Sequence, residues 1–169
     1  MKSVIVDKPH SYKVIETEIP KIQNDYEVLV KMKAAGVCGS DYHIYHGKNP
    51  NTIYPLVPGH ENVGVVVEVG PKVTKVKVGD HVVVDLIITC GECYQCTHGR
   101  ENVCENVLVR GSSTDGGFRE YLTAPEDDLY VISKDVPFTE AVLVEPYAIG
   151  AHCTKRGRVS ADDIVFILG

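Results

Sequence analysis

The sequence predicts a mainly β domain with few, short helices, folded as a small irregular β-barrel. Three observations carry this reading. Short Val-rich runs alternate apolar and polar residues with a period of two. Gly, Pro and Asp turn signals separate these runs. One final run is apolar throughout and belongs to a different kind of sheet. Composition agrees, since 44% of the 169 residues are apolar and 24% charged. That is enough to bury a core, and it excludes disordered and collagen-like chains. At ~150 residues per domain, the length gives one domain and a fraction.

The elements follow in chain order. In residues 27–33, Val28, Val30 and Met32 share one face while Leu29, Lys31 and Lys33 share the other, the pattern of a strand. Residues 39–46 read as a short helix. A second strand, 63–69, ends at the turn Gly70-Pro71. A third, 73–78, meets Gly79-Asp80 and leads into a fourth at 81–84. Residues 93–99 read as another short helix. Residues 137–156 read as helical around a break at Pro146, with Cys153 a small buried side chain. The apolar run 164–168 then ends in Gly169. It reads as the first, doubly buried strand of a parallel α/β domain, with Gly169 opening a Gly-rich turn. A second domain, absent from this chain, is therefore expected.

With 23 acidic and 17 basic residues the formal charge is -6. An acidic chain has little to offset phosphate repulsion, so neither nucleic acid nor an anionic membrane is an expected partner. No apolar run approaches the ~18 residues of a membrane span, and the first residues are too soon charged for a signal peptide. A cytoplasmic protein is expected. In that compartment the six cysteines stay reduced.

Four of the six, Cys90, Cys93, Cys96 and Cys104, fall within fifteen residues. Four thiolates close a tetrahedral shell around zinc and leave no open position, which defines a structural site. An iron–sulfur cluster would want its fourth cysteine after three residues and followed by Pro. Here the gap is seven residues and Glu105 follows. In so polar a loop, four unrelated buried thiols have no packing role.

Cys38 lies in Gly36-Val37-Cys38-Gly39-Ser40-Asp41-Tyr42-His43, and Gly59-His60-Glu61 follows. Cys38, His60 and Glu61 supply three zinc-compatible ligand types, which would leave a position for water or substrate. Taken singly, Cys38 reads as a core thiol and His60-Glu61 as a surface pair. Taken with the cysteine cluster, Asp115-Gly116-Gly117-Phe118-Arg119-Glu120-Tyr121 and Glu145-Pro146-Tyr147-Ala148-Ile149-Gly150, they form an ordered set. The whole chain resembles the zinc-containing medium-chain alcohol and polyol dehydrogenases. It is similar to their catalytic domain, whose fold is like that of the co-chaperonin GroES.

The resemblance implies a GroES-like zinc-binding catalytic domain over 1–148. Residues 149–169 then form a connecting helix and the first strand of a truncated Rossmann-type dinucleotide-binding domain. It implies two zincs per chain. Cys38, His60 and Glu61 surround the catalytic one, with Glu145 as fourth or near-shell ligand, and Cys90, Cys93, Cys96 and Cys104 hold the structural one. Glu145 stands where alcohol-active relatives carry a second Cys, which resembles the polyol branch. Asp41 would accept a hydrogen bond from the distal nitrogen of His60, although an N-terminal helix cap is its simpler role. Ser40 would begin a proton relay ending at His43 near solvent. The implied substrate is a small polyol, sugar acid or hydroxy amino acid, oxidised at a secondary alcohol by NAD or NADP, and Phe118 would lie near its cleft. A homo-oligomer, dimer or tetramer, is implied for the whole enzyme. This chain alone is expected to turn over no substrate.

Two other classes compete. A GroES-like scaffold without redox activity would need the four-cysteine lobe but not Cys38, Ser40, His43 and His60. A zinc deaminase would want His-x-Glu with Pro-Cys-x-x-Cys, whereas His60 and Glu61 are adjacent and Thr89 precedes Cys90.

Overall fold

The computed structural model describes residues 1–168. Gly169, read above as opening a turn, lies outside them. Strands β1 (Lys2–Lys8) and β2 (Ser11–Glu16) form an N-terminal hairpin. Then come β3 (Glu27–Gly36), helix α1 (Gly39–Tyr45), β4 (Glu61–Val69) and β5 (His81–Val84). A small hairpin of β6 (Ile87–Ile88) and β7 (Leu108–Val109) brackets the short helix α2 (Tyr94–Thr97). The chain continues through β8 (Tyr121–Pro125), β9 (Leu129–Ile132), α3 (Phe138–Ala141) and α4 (Val144–Gly157).

The central sheet is antiparallel with strand order β8-β3-β4-β5-β9. Its inward alternation builds the core from Val28 and Val30 on β3, Val66 on β4, Val82 and Val84 on β5, and Leu122 and Ala124 on β8. Each fully buried aliphatic side chain of this kind contributes roughly 1.5–3 kcal/mol relative to exposure. Two bulges, between Leu29 and Val30 and between Met32 and Ala34, bend β3 as it pairs with β4. The N-terminal hairpin joins the sheet region through single bridges from Ser3 to Arg119 and from Val6 to Leu56. The fold is mainly β with short helices, as the patterning requires.

Three readings need correction. Residues 73–78 are not a strand, although Val76 does reach the core. Three of their N–H groups, those of Thr74, Lys75 and Lys77, go to carboxylates instead of a neighbouring ladder. Buried Glu126 accepts from Thr74 and Lys75 at 2.7 and 2.6 Å, and Asp80 accepts from Lys77 at 3.0 Å. The helical break lies at Val142-Leu143, not at Pro146. Pro146 stands in the first turn of α4, where a missing N–H removes no intrahelical bond. Cys153 is exposed rather than buried, because α4 meets the sheet near its first turn and has no buried residue. Along residues 164–168 no strand pairing is present among the described residues. The apolar side chains there are exposed, Ile164 fully and Phe166 at 83%.

Candidate metal centres

The four-cysteine cluster is built by a tight local chain reversal. Cys90 follows the β6 strand, Cys93 caps α2, Cys96 lies inside that helix, and Cys104 ends a single 3-10 turn. All four sulfurs lie within 4.8 Å of one another. Cys93 to Cys96 and Cys90 to Cys104 are 3.5 Å apart; Cys90 to Cys96 and Cys93 to Cys104 are 4.0 Å. Four sulfurs at ~2.3 Å from a tetrahedral zinc stand ~3.8 Å apart, so the donor set fits that ion. Backbone N–H groups support the sulfurs: Cys93 donates to Cys90, and both Cys90 and Asn106 donate to Cys104, each at 3.4 Å. The N–H groups of Glu92 and Cys93 hold the Cys90 thiol down to about 6, while burial pushes Cys96 up to about 12. Two of the four environments therefore differ sharply in their readiness to lose a proton.

The second group joins two segments distant in sequence. Ligand atoms of Cys38, His60 and Glu61 lie within 4.8 Å of one another. The β3–β4 register brings them together, since Gly36 pairs with Glu61 at the open end of the ladder. Cys38 then caps α1 two residues after β3 ends, and His60 immediately precedes β4. His60 is buried, and Cys38 and Glu61 are half-buried. A β-carbon at Gly36 would come within 1.8 Å of Oε2 of Glu61. The absence of a side chain at Gly36 thus leaves room for the carboxylate beside the thiol and imidazole. A thiolate, an imidazole and a carboxylate in this cradle fit a zinc ion with an open position.

Glu145, on the first turn of α4, is half-buried and close enough to feel this group. Burial raises its carboxyl above the usual range, nearby His60 opposes the rise, and Glu61 and Asp85 add to it. A cavity of about 320 Å³ opens beside it, lined by Val83, Asp85, Tyr130, Val144 and Ala148. On α1, Ser40 is half-buried and His43 is exposed, with the His43 ring 6.0 Å from that of Tyr42.

Asp41 is buried, but its oxygens are not engaged by His60. Oδ2 accepts from the Cys38 N–H at 2.8 Å and Oδ1 from the Gly59 N–H at 3.2 Å. The helix-capping role wins, and it ties the residue before His60 to the segment carrying Cys38. The segment 115–118 grips the same turn from the other side. Asp115 accepts from the Val57 N–H at 2.9 Å, and Gly117 donates to the Gly59 carbonyl at 2.8 Å. The Phe118 ring stands where a β-carbon at Gly59 would, 2.3 Å from that position. The sequence reading places Gly36 and Asp115 in its motifs without giving either a role, and it gives Asn62 none.

A bulged antiparallel sheet with a cysteine–histidine–carboxylate group at the end of one ladder, together with a four-cysteine lobe, makes a domain with two candidate metal sites. The chain belongs to the alcohol dehydrogenase GroES-like domain family, which matches residues 24–134. It is 43% identical to the starvation-sensing protein RspB of Escherichia coli K12, over all of this chain and 50% of that protein. It is 35% identical to the sorbitol dehydrogenase of Bacillus subtilis, over 100% of this chain and 49% of that protein. Among solved structures, a short chain alcohol dehydrogenase (rspB) from E. coli CFT073 complexed with cofactor NADH superposes with a TM-score of 0.88. It is 44% identical, covering 96% of this chain and 47% of that one. Galactitol-1-phosphate dehydrogenase from E. coli also gives 0.88 at 33% identity, covering 94% and 45%. The chain spans about half the length of the curated relatives it matches.

Proposed function

We propose that this chain is the zinc-binding catalytic domain of an NAD(P)-dependent dehydrogenase that oxidises a secondary alcohol of a polyol, sugar acid or hydroxy amino acid. The observation that carries the reading is the convergence of Cys38, His60 and Glu61 within 4.8 Å, with Glu145 in electrostatic reach. A zinc held there would supply Lewis-acid polarisation of an alcohol oxygen, and a nicotinamide would supply the hydride-accepting chemistry. Cys38, His60 and Glu61 would hold the metal, and Glu145 would stand as fourth or near-shell ligand. Ser40, half-buried at the start of α1, would take the proton from the alcohol hydroxyl. His43, exposed on the same helix, would pass it to solvent. Asp41 would hold the Cys38 and Gly59 backbones in place. Cys90, Cys93, Cys96 and Cys104 would hold a second, structural zinc.

The relatives support the substrate class. They include a sorbitol dehydrogenase, an L-threonine 3-dehydrogenase of Caldanaerobacter subterraneus and the L-galactonate-5-dehydrogenase of E. coli. In this reading residues 1–148 are the catalytic domain and 149–169 lead toward a dinucleotide-binding domain, NAD and NADP both being compatible. The working protein is cytoplasmic and a homo-oligomer; no helix among the described residues is long and apolar enough to cross a membrane. A scaffold without redox activity would account for the four-cysteine lobe but leave the second group without purpose. The test follows nicotinamide absorbance with the full-length protein and a panel of polyols, sugar acids, threonine and primary alcohols. Turnover of secondary alcohols is expected. No turnover with any of them would contradict the reading, and equal rates on simple primary alcohols would contradict its substrate class.

A further inference from the structure

Asn62 is among the most deeply buried side chains of the molecule, at 1% exposure, and it sits on β4 two residues beyond His60. Its Nδ2 donates to the Gly59 carbonyl at 3.1 Å, the same oxygen that accepts from the Gly117 N–H at 2.8 Å. The Gly59 N–H is held by Asp41 at 3.2 Å. Both backbone polar groups of Gly59, the residue that leads into His60, are therefore held, and its φ is +94°. Only glycine adopts that conformation without strain. The amide lies flat on Gly117, whose missing β-carbon would fall 2.0 Å from Oδ1 and 2.7 Å from Nδ2 of Asn62. Nothing larger than hydrogen at Gly117 leaves room for Asn62 to reach Gly59.

The choice of an amide here is costly. Oδ1 of Asn62 is buried without a hydrogen-bond partner. An orphaned buried acceptor gives up its hydrogen bonds to water and weakens the fold. An aliphatic residue would fill this place on a strand otherwise rich in valine without that cost. A buried polar group that weakens the core is explained when the bond it makes sets a position that matters elsewhere. The bond it makes is to the turn from which His60 leaves, while Asp41, expected from sequence to serve His60 directly, is engaged with backbone N–H groups.

We propose that Asn62 is a positioning residue for the Cys38–His60–Glu61 centre. By holding the Gly59 carbonyl, it fixes the direction in which His60 presents its ring to the other two ligands. This role rests on the reading of that group as a metal site. It predicts that Asn62 tunes the metal affinity of this centre and leaves the four-cysteine centre alone, since Asn62 makes no contact with that lobe among its hydrogen bonds. Losses on removing such outer partners of a ligand run to about 10–100-fold.

The experiment titrates cobalt into the metal-free full chain and follows the ligand-field spectrum of each centre. Asn62→Asp keeps the volume and places an acceptor against the Gly59 carbonyl. Asn62→Ala removes the bond. Val63→Ala, at a fully buried neighbour on the same strand with no polar contact to the turn, serves as the control. Expected is an at least 10-fold weaker second cobalt with an altered spectrum in both Asn62 variants. The four-cysteine spectrum should be unchanged, and Val63→Ala should lower stability without moving either affinity. Two cobalts bound as tightly by both Asn62 variants as by the unmodified chain would overturn the role. So would an equal loss of affinity in Val63→Ala, which would mark the effect as general destabilisation. An unmodified chain that binds a single cobalt would overturn the metal-site reading itself, and this role with it.

Discussion

Glu61 and Gly36 face each other across the end of the β3–β4 ladder, and the glutamate's Oε2 lies 1.8 Å from where a Gly36 β-carbon would stand. The pair shows how a strand register assembles a candidate metal site. The strand that ends at Gly36 runs on to Cys38, and the strand that begins at Glu61 is preceded by His60. One antiparallel register therefore delivers thiol, imidazole and carboxylate together.

Gly36→Ala should expel the Glu61 carboxylate from this cradle. The displaced group is the flexible end of a side chain, and alanine gains about 0.5–1 kcal/mol over glycine in a strand. Thermal stability should therefore change little, while affinity at the second centre falls at least ~10-fold. Parallel calorimetric unfolding and zinc titration check this. Unchanged affinity would show that Glu61 does not need this position.

Arg110 should anchor the hairpin that carries the four-cysteine lobe. Its side chain is 8% exposed, pairs with Asp128 and donates from Nε to the Asp85 carbonyl at 3.1 Å. Removing one partner of a buried ion pair costs about 3 kcal/mol or more, because the other charge stays buried. Arg110→Ala should therefore lower the urea midpoint substantially. A shift worth less than about 0.5 kcal/mol, the ordinary range for surface substitutions, would contradict the assignment.

Alkylation in zinc-free protein should separate the cluster's cysteines. A thiol held down to about 6 is mostly thiolate above that pH, and one pushed up to about 12 stays protonated across the neutral range. Iodoacetamide labelling of Cys90 should rise through pH 6 and level off near neutrality, while Cys96 stays slow. Peptide mass spectrometry across pH 5–9 checks this. Equal rates at the two positions at pH 7 would contradict it.

Much of the chemistry was legible because it is local. The spacing of Cys90, Cys93, Cys96 and Cys104 lies within one loop, so no tertiary knowledge was needed to group them. The alternating Val runs likewise marked β3, β4 and β5. Failures arose where a distant group decides the outcome. Residues 73–78 alternate like a strand, yet Glu126, some fifty residues on, takes the N–H groups that a ladder would have used. Asp41 looks like a partner for His60, whereas the bonds its oxygens accept come from the Cys38 and Gly59 N–H groups. The N-terminal hairpin and Asn62 have no place in the sequence reading above. The meaning of Asn62 depends on Gly59 and Gly117 meeting it in space.

The central claim is that one chain carries two distinct zinc centres, and metal stoichiometry tests it most directly. Zinc per chain is measured by elemental analysis of the full-length protein and of Cys38→Ser and Cys104→Ser variants. Two zincs are expected in the unmodified protein and one in each variant, with the Cys104→Ser protein alone losing the stability of its lobe. A single zinc in the unmodified protein, unaffected by Cys38→Ser, would contradict the account.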